Sequence, residues 1–463
     1  MTKRRGTILV VVLLMTAMAA MAAAGLMFRM RAEVTAAGAG ARRGEQAYAA
    51  AMSGIQRAIM LLQGARGNLE LLQDNPDVFQ SQLVCEDGAN KWYFTIYAEA
   101  PFSTDRAKNE IRYGVTDQAG KININVADAD TLLALPNMTN ELVDCLLDYR
   151  DADNEPRPGG AEQEYYEGLE HPYAIKNGPL ITLEELLLVK GFNGRIIYGE
   201  DVNLNGLLEP NEDDGEQSFP PDDSDGLLDT GLRGAAVAIS YEPNVDSRRQ
   251  PRAFLNGGSK TLRRVELSAQ TQQFIDIFLA EGNKFEHPSQ LLHMEYRVQK
   301  NHRGVRAGTV LDSGVGGEEL PMVVDRLTTM PPTSRMPLIG LVNVNTAPAA
   351  VLAALPGIDA DLAAAIVAAR ADVPPEDKAT IAWLYTRDLV DAETFKAIAP
   401  GLTARGFQYH VRCIGFGSPC GRYRIVEAVV DLAKGKPRIT YLRDITRLGL
   451  PFPLDVQKQE RSQ

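Results

Sequence analysis

From Thr7 to Phe28 the chain runs without a charge, TILVVVLLMTAMAAMAAAGLMF. At about 1.5 Å per residue, a helix of that length spans about 30 Å, the thickness of a bilayer core. Beyond it, Tyr48, Met52, Ile55, Ile59 and Leu62 recur at intervals of three and four, the spacing of one helical face. The pattern predicts one long N-terminal helix, transmembrane over 7–28 and continuing over 29–75. Gly38, Gly40 and Gly44 are candidate bends, and Asn75-Pro76 is the expected end.

The period then changes to two. Residues 92–98 and 111–116 alternate as strands do, and three further strands are expected at 408–414, 422–432 and 438–442. Helical patterns fill the middle. The expected fold class is α+β: a long N-terminal transmembrane helix, an antiparallel sheet built from 76–118 and 404–450, a large inserted α-helical domain at 119–403, and a flexible tail at 451–463.

The insertion contains a repeat. Ile122-Asn123-Ile124-Asn125 recurs as Val342-Asn343-Val344-Asn345, and the following residues align without a gap through Arg150 and Arg370. Leu132, Leu135 and Leu142 fall opposite Leu352, Leu355 and Leu362, so 122–150 and 342–370 read as two helix-hairpin-helix-like units. Such hairpins can bind DNA through a Gly-rich turn and following basic residues. Here the first turn carries Asn137 where the second has Gly357, and Asp359 and Asp361 follow the second. Acidic groups at a phosphate site oppose binding, so the units read as structural and no nucleic-acid partner is expected.

Composition agrees. The formal net charge of the 463 residues is −12, which repels phosphates and suits cations. The five histidines, His171, His287, His293, His302 and His410, form no metal-binding spacing. No nucleophile elbow, Walker loop or dinucleotide fingerprint occurs, and no enzyme is expected. Of the four cysteines, Cys413 and Cys420 flank what reads as a hairpin turn and are a candidate disulfide in an oxidising compartment; the alternative is two reduced thiols.

The N-terminus has two readings. Ala22-Ala23-Ala24 suits a signal peptidase, as in a secreted enzyme. Against this, the apolar run continues through Gly25-Leu26-Met27-Phe28, and the basic Lys3-Arg4-Arg5 segment ends in Gly6 directly against it. That junction resembles a type IV prepilin leader at 1–6, cut between Gly6 and Thr7 by a prepilin peptidase. The positive residues place the N-terminus in the cytoplasm, and the resemblance implies a single pass through the inner membrane with the bulk of the chain in the periplasm. Most pilins carry Glu at the fifth mature position, which here is Val11.

Further along come Asp148-Tyr149-Arg150-Asp151-Ala152-Asp153, Glu162 before Tyr165-Tyr166, and Glu185-Leu186-Leu187-Leu188-Val189-Lys190-Gly191. With the leader and Val11, this run resembles the K-type minor pseudopilin of type II secretion systems, general secretion pathway protein K. Tyr149 stands where that family usually has Trp. The resemblance implies a pilin-like sheet, a structural role at the tip of a pseudopilus, I-type and J-type minor pseudopilin partners, and inner-membrane secretion machinery around them. It also implies calcium in the helical domain, which makes Asp148, Asp151, Asp153 and Glu162 candidates for a second metal. Residues 194–335 match least and read as an enlargement.

That enlargement holds an EF-hand-type loop at 201–212. Asp201, Asn203, Asn205, Glu209 and Glu212 supply oxygen at positions 1, 3, 5, 9 and 12, Leu207 offers its carbonyl at position 7, and Gly206 takes the turn. Calcium is the expected ion. Asp223, Asp225 and Asp229 echo the pattern, but Pro221 and Leu232 occupy its first and last positions, so they are expected at most to share a site.

Overall fold

The computed structural model describes residues 5–64, 69–98, 111–334 and 336–454; most of the leader, and residues 455–463 of the expected tail, lie outside these. Helix α1 (Arg5–Gly64) is unbroken. Gly38, Gly40 and Gly44 do not bend it out of helix; its described span ends at Gly64, and a short helical stretch, Leu69–Gln73, precedes the expected end at Asn75. Gly6 and Thr7 lie in its first turn. Leu9 to Val34 present their large apolar side chains outward, and this is a helix long and apolar enough to cross a membrane. Once past the apolar run, α1 turns one face to a sheet. The buried positions are Ala47, Ala51, Ile55, Ala58 and Leu62, while Tyr48, Met52 and Ile59 flank them half-buried. Small residues hold the contact face because the helix lies very close to the strands.

The sheet has the order β1 (Gln82–Asp87), β2 (Asn90–Tyr97), β4 (Gln408–Ser418), β5 (Tyr423–Asp431), β6 (Arg438–Asp444), all antiparallel, with the short β3 (Thr116–Asp117) pairing with the start of β4. The expected strand at 111–116 is reduced to an isolated bridge between Ala98 and Arg112 followed by β3. Asp117 stands opposite Tyr409, so the insertion leaves and re-enters the sheet between neighbouring residues. A Cβ on Gly415 of β4 would stand 2.0 Å from the Ala47 carbonyl oxygen and 2.3 Å from the Ala51 nitrogen. Only glycine allows α1 that approach.

Two expectations need correction here. Cys413 sits mid-strand, fully buried, opposite Val426 on β5, whereas Cys420 lies in the turn beyond Ser418; both are free thiols. An extended strand separates them, so they form no disulfide. The tail is not wholly loose either: Phe452 meets Tyr97 and Tyr113 edge-on, with ring centroids 5.5 and 6.3 Å apart.

The insertion is less helical than its pattern suggests. Most helices have four to seven residues, and turns and two-residue strand pairs join them. The two aligned segments share their hydrogen bonds. In the first, α2 (Ala129–Leu133) and α3 (Asn140–Arg150) are capped by Asp128 and Thr139. The second has α5 (Ala349–Ala353) and α6 (Ala360–Ala369), with Asp359 capping α6. Asn137 and Gly357 both take positive φ, 60° and 82°, which explains those residues in the turn. Arg150 donates to the carbonyls of Ile124 and Ala127, and Arg370 to those of Val344 and Ala347. Both guanidinium groups are spent on their own backbone and not offered to a phosphate. Each segment is closed by a parallel pair, Ile122–Asn123 with Ala236–Val237 and Val342–Asn343 with Leu402–Thr403.

A third unit lies between them, inside the poorly matching stretch. Ala253–Phe254 pairs in parallel with Leu327–Thr328, and α4 (Ala269–Ala280) is capped by Ser268. Asn256 exchanges two hydrogen bonds with Phe285, as Asn125 does with Leu180.

Candidate metal centres

The loop 201–212 winds around its own side chains. Asp201 accepts from the backbone N–H groups of Asn205 (2.8 Å) and Gly206 (3.0 Å). Asn203 accepts from Asn205, and Asn205 from Leu207, each two residues on. A short turn at Pro210–Glu212 returns Glu212 to the N–H of Glu209, 3.1 Å away. The amides of Asn203 and Asn205 both donate to Glu209. The predicted ligand residues therefore converge. Asp201 is fully buried and Glu212 nearly so. Burial pushes the Asp201 carboxyl up to about 6, with Glu212 adding to the rise and Arg412 opposing it. Burial also raises Glu212. An all-oxygen set with two carboxylates that are costly to ionise alone fits a hard divalent ion.

The echo at 223–229 is built the same way, with two groups drawn from elsewhere. Asp223 accepts from Asp225, and Asp225 from Leu227, as Asn203 and Asn205 do in the first loop. Ser224 and Gly226 take φ of 53° and 75°, against 58° and 75° at Leu204 and Gly206. Asp213 accepts from Gly226 (2.9 Å), the part Asp201 plays for Gly206. Glu200 accepts from Asp229 (3.3 Å), the part Glu212 plays for Glu209. Burial raises Glu200 to about 7, with the Asp229, Asp223 and Asp222 charges adding to it. Pro221 and Leu232 are thus bypassed: the first and last positions are filled by Asp213 and Glu200. A linear spacing rule has no means of finding them.

The third cluster follows α3. One oxygen each of Asp151, Asp153 and Glu162 lies within 4.8 Å of the others. Asp148 does not join them, because Arg157 holds it at 2.5 Å and also reaches Asp151 at 2.8 Å. Glu162 is 5% exposed, and both its oxygens are buried without a hydrogen-bond partner. Asp151 Oδ1 and Asn177 Oδ1 are orphaned in the same way, and Asn177 lies against Asp153, donating to its carbonyl at 2.9 Å. Burial, and then the Asp148, Asp151 and Asp153 charges, raise Glu162. Unsatisfied buried oxygens on Glu162, on Asp151 and on the neighbouring Asn177 fit a hard cation. Asn177, at φ 42°, had no spacing signal to mark it.

Residues 115–198 match the first-domain model of type II secretion system protein K, and residues 342–398 match a second model of protein K. The chain carries two type II secretion system protein K domains. The first match covers α2, α3, the Glu162 cluster and Gly191; the second covers α5 and α6. The EF-type loops and the Asn256 unit lie between the two matches. Together, the apolar helix and the protein K matches point to a membrane-anchored chain. Among solved structures, it is similar to a chain of "The Crystal Structure of the GspK-GspI-GspJ complex from enterotoxigenic Escherichia coli Type 2 Secretion System". The TM-score is 0.40 at 10% identity, covering 90% of this chain and 99% of that one. A likeness at that level transfers no residue role. No curated protein matches the chain.

Proposed function

We propose that this chain is the tip subunit of a type II secretion pseudopilus, a structural, non-enzymatic part of the export machinery. The paired protein K matches are the observation that carries its role as a minor pseudopilin. The leader is cut after Gly6, and Thr7 becomes the membrane-embedded N-terminus. Residues 7–28 hold the chain in the inner membrane and then enter the helical core of the filament, with the bulk of the chain in the periplasm. Val11 leaves the fifth position without a carboxylate, so nothing in this helix calls for a subunit above it. The insertion, with its helix-hairpin-helix-like units on a pilin-like sheet, covers the end. I-type and J-type minor pseudopilins are the proposed neighbours.

Calcium is the proposed cofactor of Asp201, Asn203, Asn205, Leu207, Glu209 and Glu212, and of the sister loop with Asp213, Asp223, Asp225, Asp229 and Glu200. Asp151, Asp153 and Glu162 would hold a further ion. Bound ions stabilise the fold by mass action.

A strain lacking this chain tests the reading. Wild-type chain should restore secretion, the recovered protein should begin at Thr7, and in vivo cross-links should join it to two smaller pseudopilins. A mature start near Gly25, with normal secretion in its absence, would refute it. Val11→Glu should insert in the membrane yet fail to complement.

A further inference from the structure

The loop 201–212 does not stand free of the sheet. Arg412, on β4, is 2% exposed and donates from Nη1 to the Leu204 carbonyl at 3.0 Å. The same guanidinium lies 3.4 Å from Glu427 of β5 through Nε and through Nη2. Glu427 also meets His410 of β4 at 2.7 Å. From the insertion side, Arg233 reaches Asp201 at 3.4 Å, and Lys121 donates to the Arg233 carbonyl at 2.6 Å. One chain of contacts thus joins the first ligand position, the backbone of the loop and two central strands.

Leu204 is the telling residue. It has φ 58°, a left-handed conformation that disfavours a branched side chain. It sits between the ligand residues Asn203 and Asn205. Turning both of those side chains inward to an ion fixes the peptide between them, and with it the direction of the Leu204 carbonyl.

We propose that the loop is a cation-dependent clasp. An ion held at 201–212 aims the Leu204 carbonyl at Arg412 and thereby locks the inserted domain onto the β4–β5 part of the sheet. The clasp rests on the calcium reading of this loop and adds what the ion does there. Arg412 is a positioning residue.

The test uses full-length protein in detergent micelles, with calcium added or chelated, and reads amide hydrogen exchange by segment alongside calcium affinity by titration calorimetry. Calcium is expected to slow exchange in 201–212 and also in 409–414 and 425–428, by about tenfold in the strands. Arg412→Lys keeps a charge beside Asp201 but loses the forked reach from Leu204 to Glu427. It should still bind calcium, protect the loop, and fail to protect the strands. Coupling is reciprocal, so its calcium affinity should drop by about the factor of strand protection lost. Calcium binding with protection confined to the loop in the wild-type protein would overturn the clasp and leave the calcium reading standing. Absence of calcium binding would overturn both. The wild-type comparison decides the matter even where the variant folds poorly.

Discussion

The orphaned Glu162 makes a prediction whose sign depends on the solution. Without a cation, three carboxylates share one small space, each with an oxygen within 4.8 Å of the others. At an effective dielectric constant of about 20, a pair at that distance repels by about 3 kcal/mol. Arg157 offsets part of the Asp151 charge, and Asp153 is exposed, so its share is screened towards about 1 kcal/mol. Protonation sets a ceiling: at pH 7, taking up a proton on a carboxyl with an ordinary value near 4.3 costs about 3.7 kcal/mol. Glu162→Gln removes the charge and keeps the shape, so in chelator the variant should be more stable by about 1–3 kcal/mol. In a chain of 463 residues, at about 2.1 cal/mol/K per residue, that is a rise of about 1–3 °C in melting temperature. In millimolar calcium the order should invert, because the variant has lost a ligand and the wild-type protein gains mass-action stabilisation of about 3 kcal/mol at a hundredfold excess over Kd. Differential scanning fluorimetry of both proteins, with and without calcium, reads the crossing. A variant less stable than wild type in chelator would refute the claim that Glu162 is an uncompensated buried charge. Equal calcium shifts in both proteins would remove Glu162 from any ion site.

Three further outcomes follow from the same geometry. Glu200 and Asp201 are raised by burial to about 7 and about 6, and Glu162 is also raised, so each holds its proton more tightly folded than unfolded. Metal-free stability should therefore fall as pH rises from the usual carboxylate range through 7, while calcium affinity rises over that window; thermal melts from pH 5 to 8 with and without calcium check both slopes. Gly415→Ala should destabilise by about 3 kcal/mol, since its neighbours are backbone atoms that cannot give way, whereas Gly401→Ala, in open space, should change little; unchanged melting of Gly415→Ala would show that α1 can lift from the sheet. In native, unreduced protein a maleimide should label the exposed Cys85 quickly and leave Cys413 unmodified until unfolding, because burial pushes that thiol up; rapid labelling of Cys413 would refute its placement under α1.

How much of this was legible depended on whether the signal was local. The unbroken run from Thr7 to Phe28 announces α1, and the alternation at Trp92 to Ala98 announces β2, because each pattern is written in consecutive residues. The large apolar residues of α1 mark its contact face only in part: Ile55 and Leu62 are buried, but the close approach of β4 selects alanines at 47, 51 and 58. The oxygen-bearing side chains of 201–212 are written in consecutive residues in the same way, and their turn geometry is local. The sister loop has no such run, since Asp213 and Glu200 come from separate turns. The Asn256 unit escaped because its backbone pairing and one side-chain exchange persist while its apolar spacing does not. Cys413 and Cys420 do not flank one hairpin turn, because the turn begins after Ser418 and leaves Cys413 deep in the strand.

The register of Asp117 opposite Tyr409 has a consequence for how such a chain can change over time. The insertion begins and ends one rung apart on the same ladder, so the distance its ends must span does not depend on its contents. Each unit also ties its own first strand to its own last one. Whole units can then be gained or lost at this doorway at the entropic cost of loop length alone, about 0.6 kcal/mol per doubling, with no strand displaced. The inserted domain is free to vary in bulk while the sheet that carries it stays fixed.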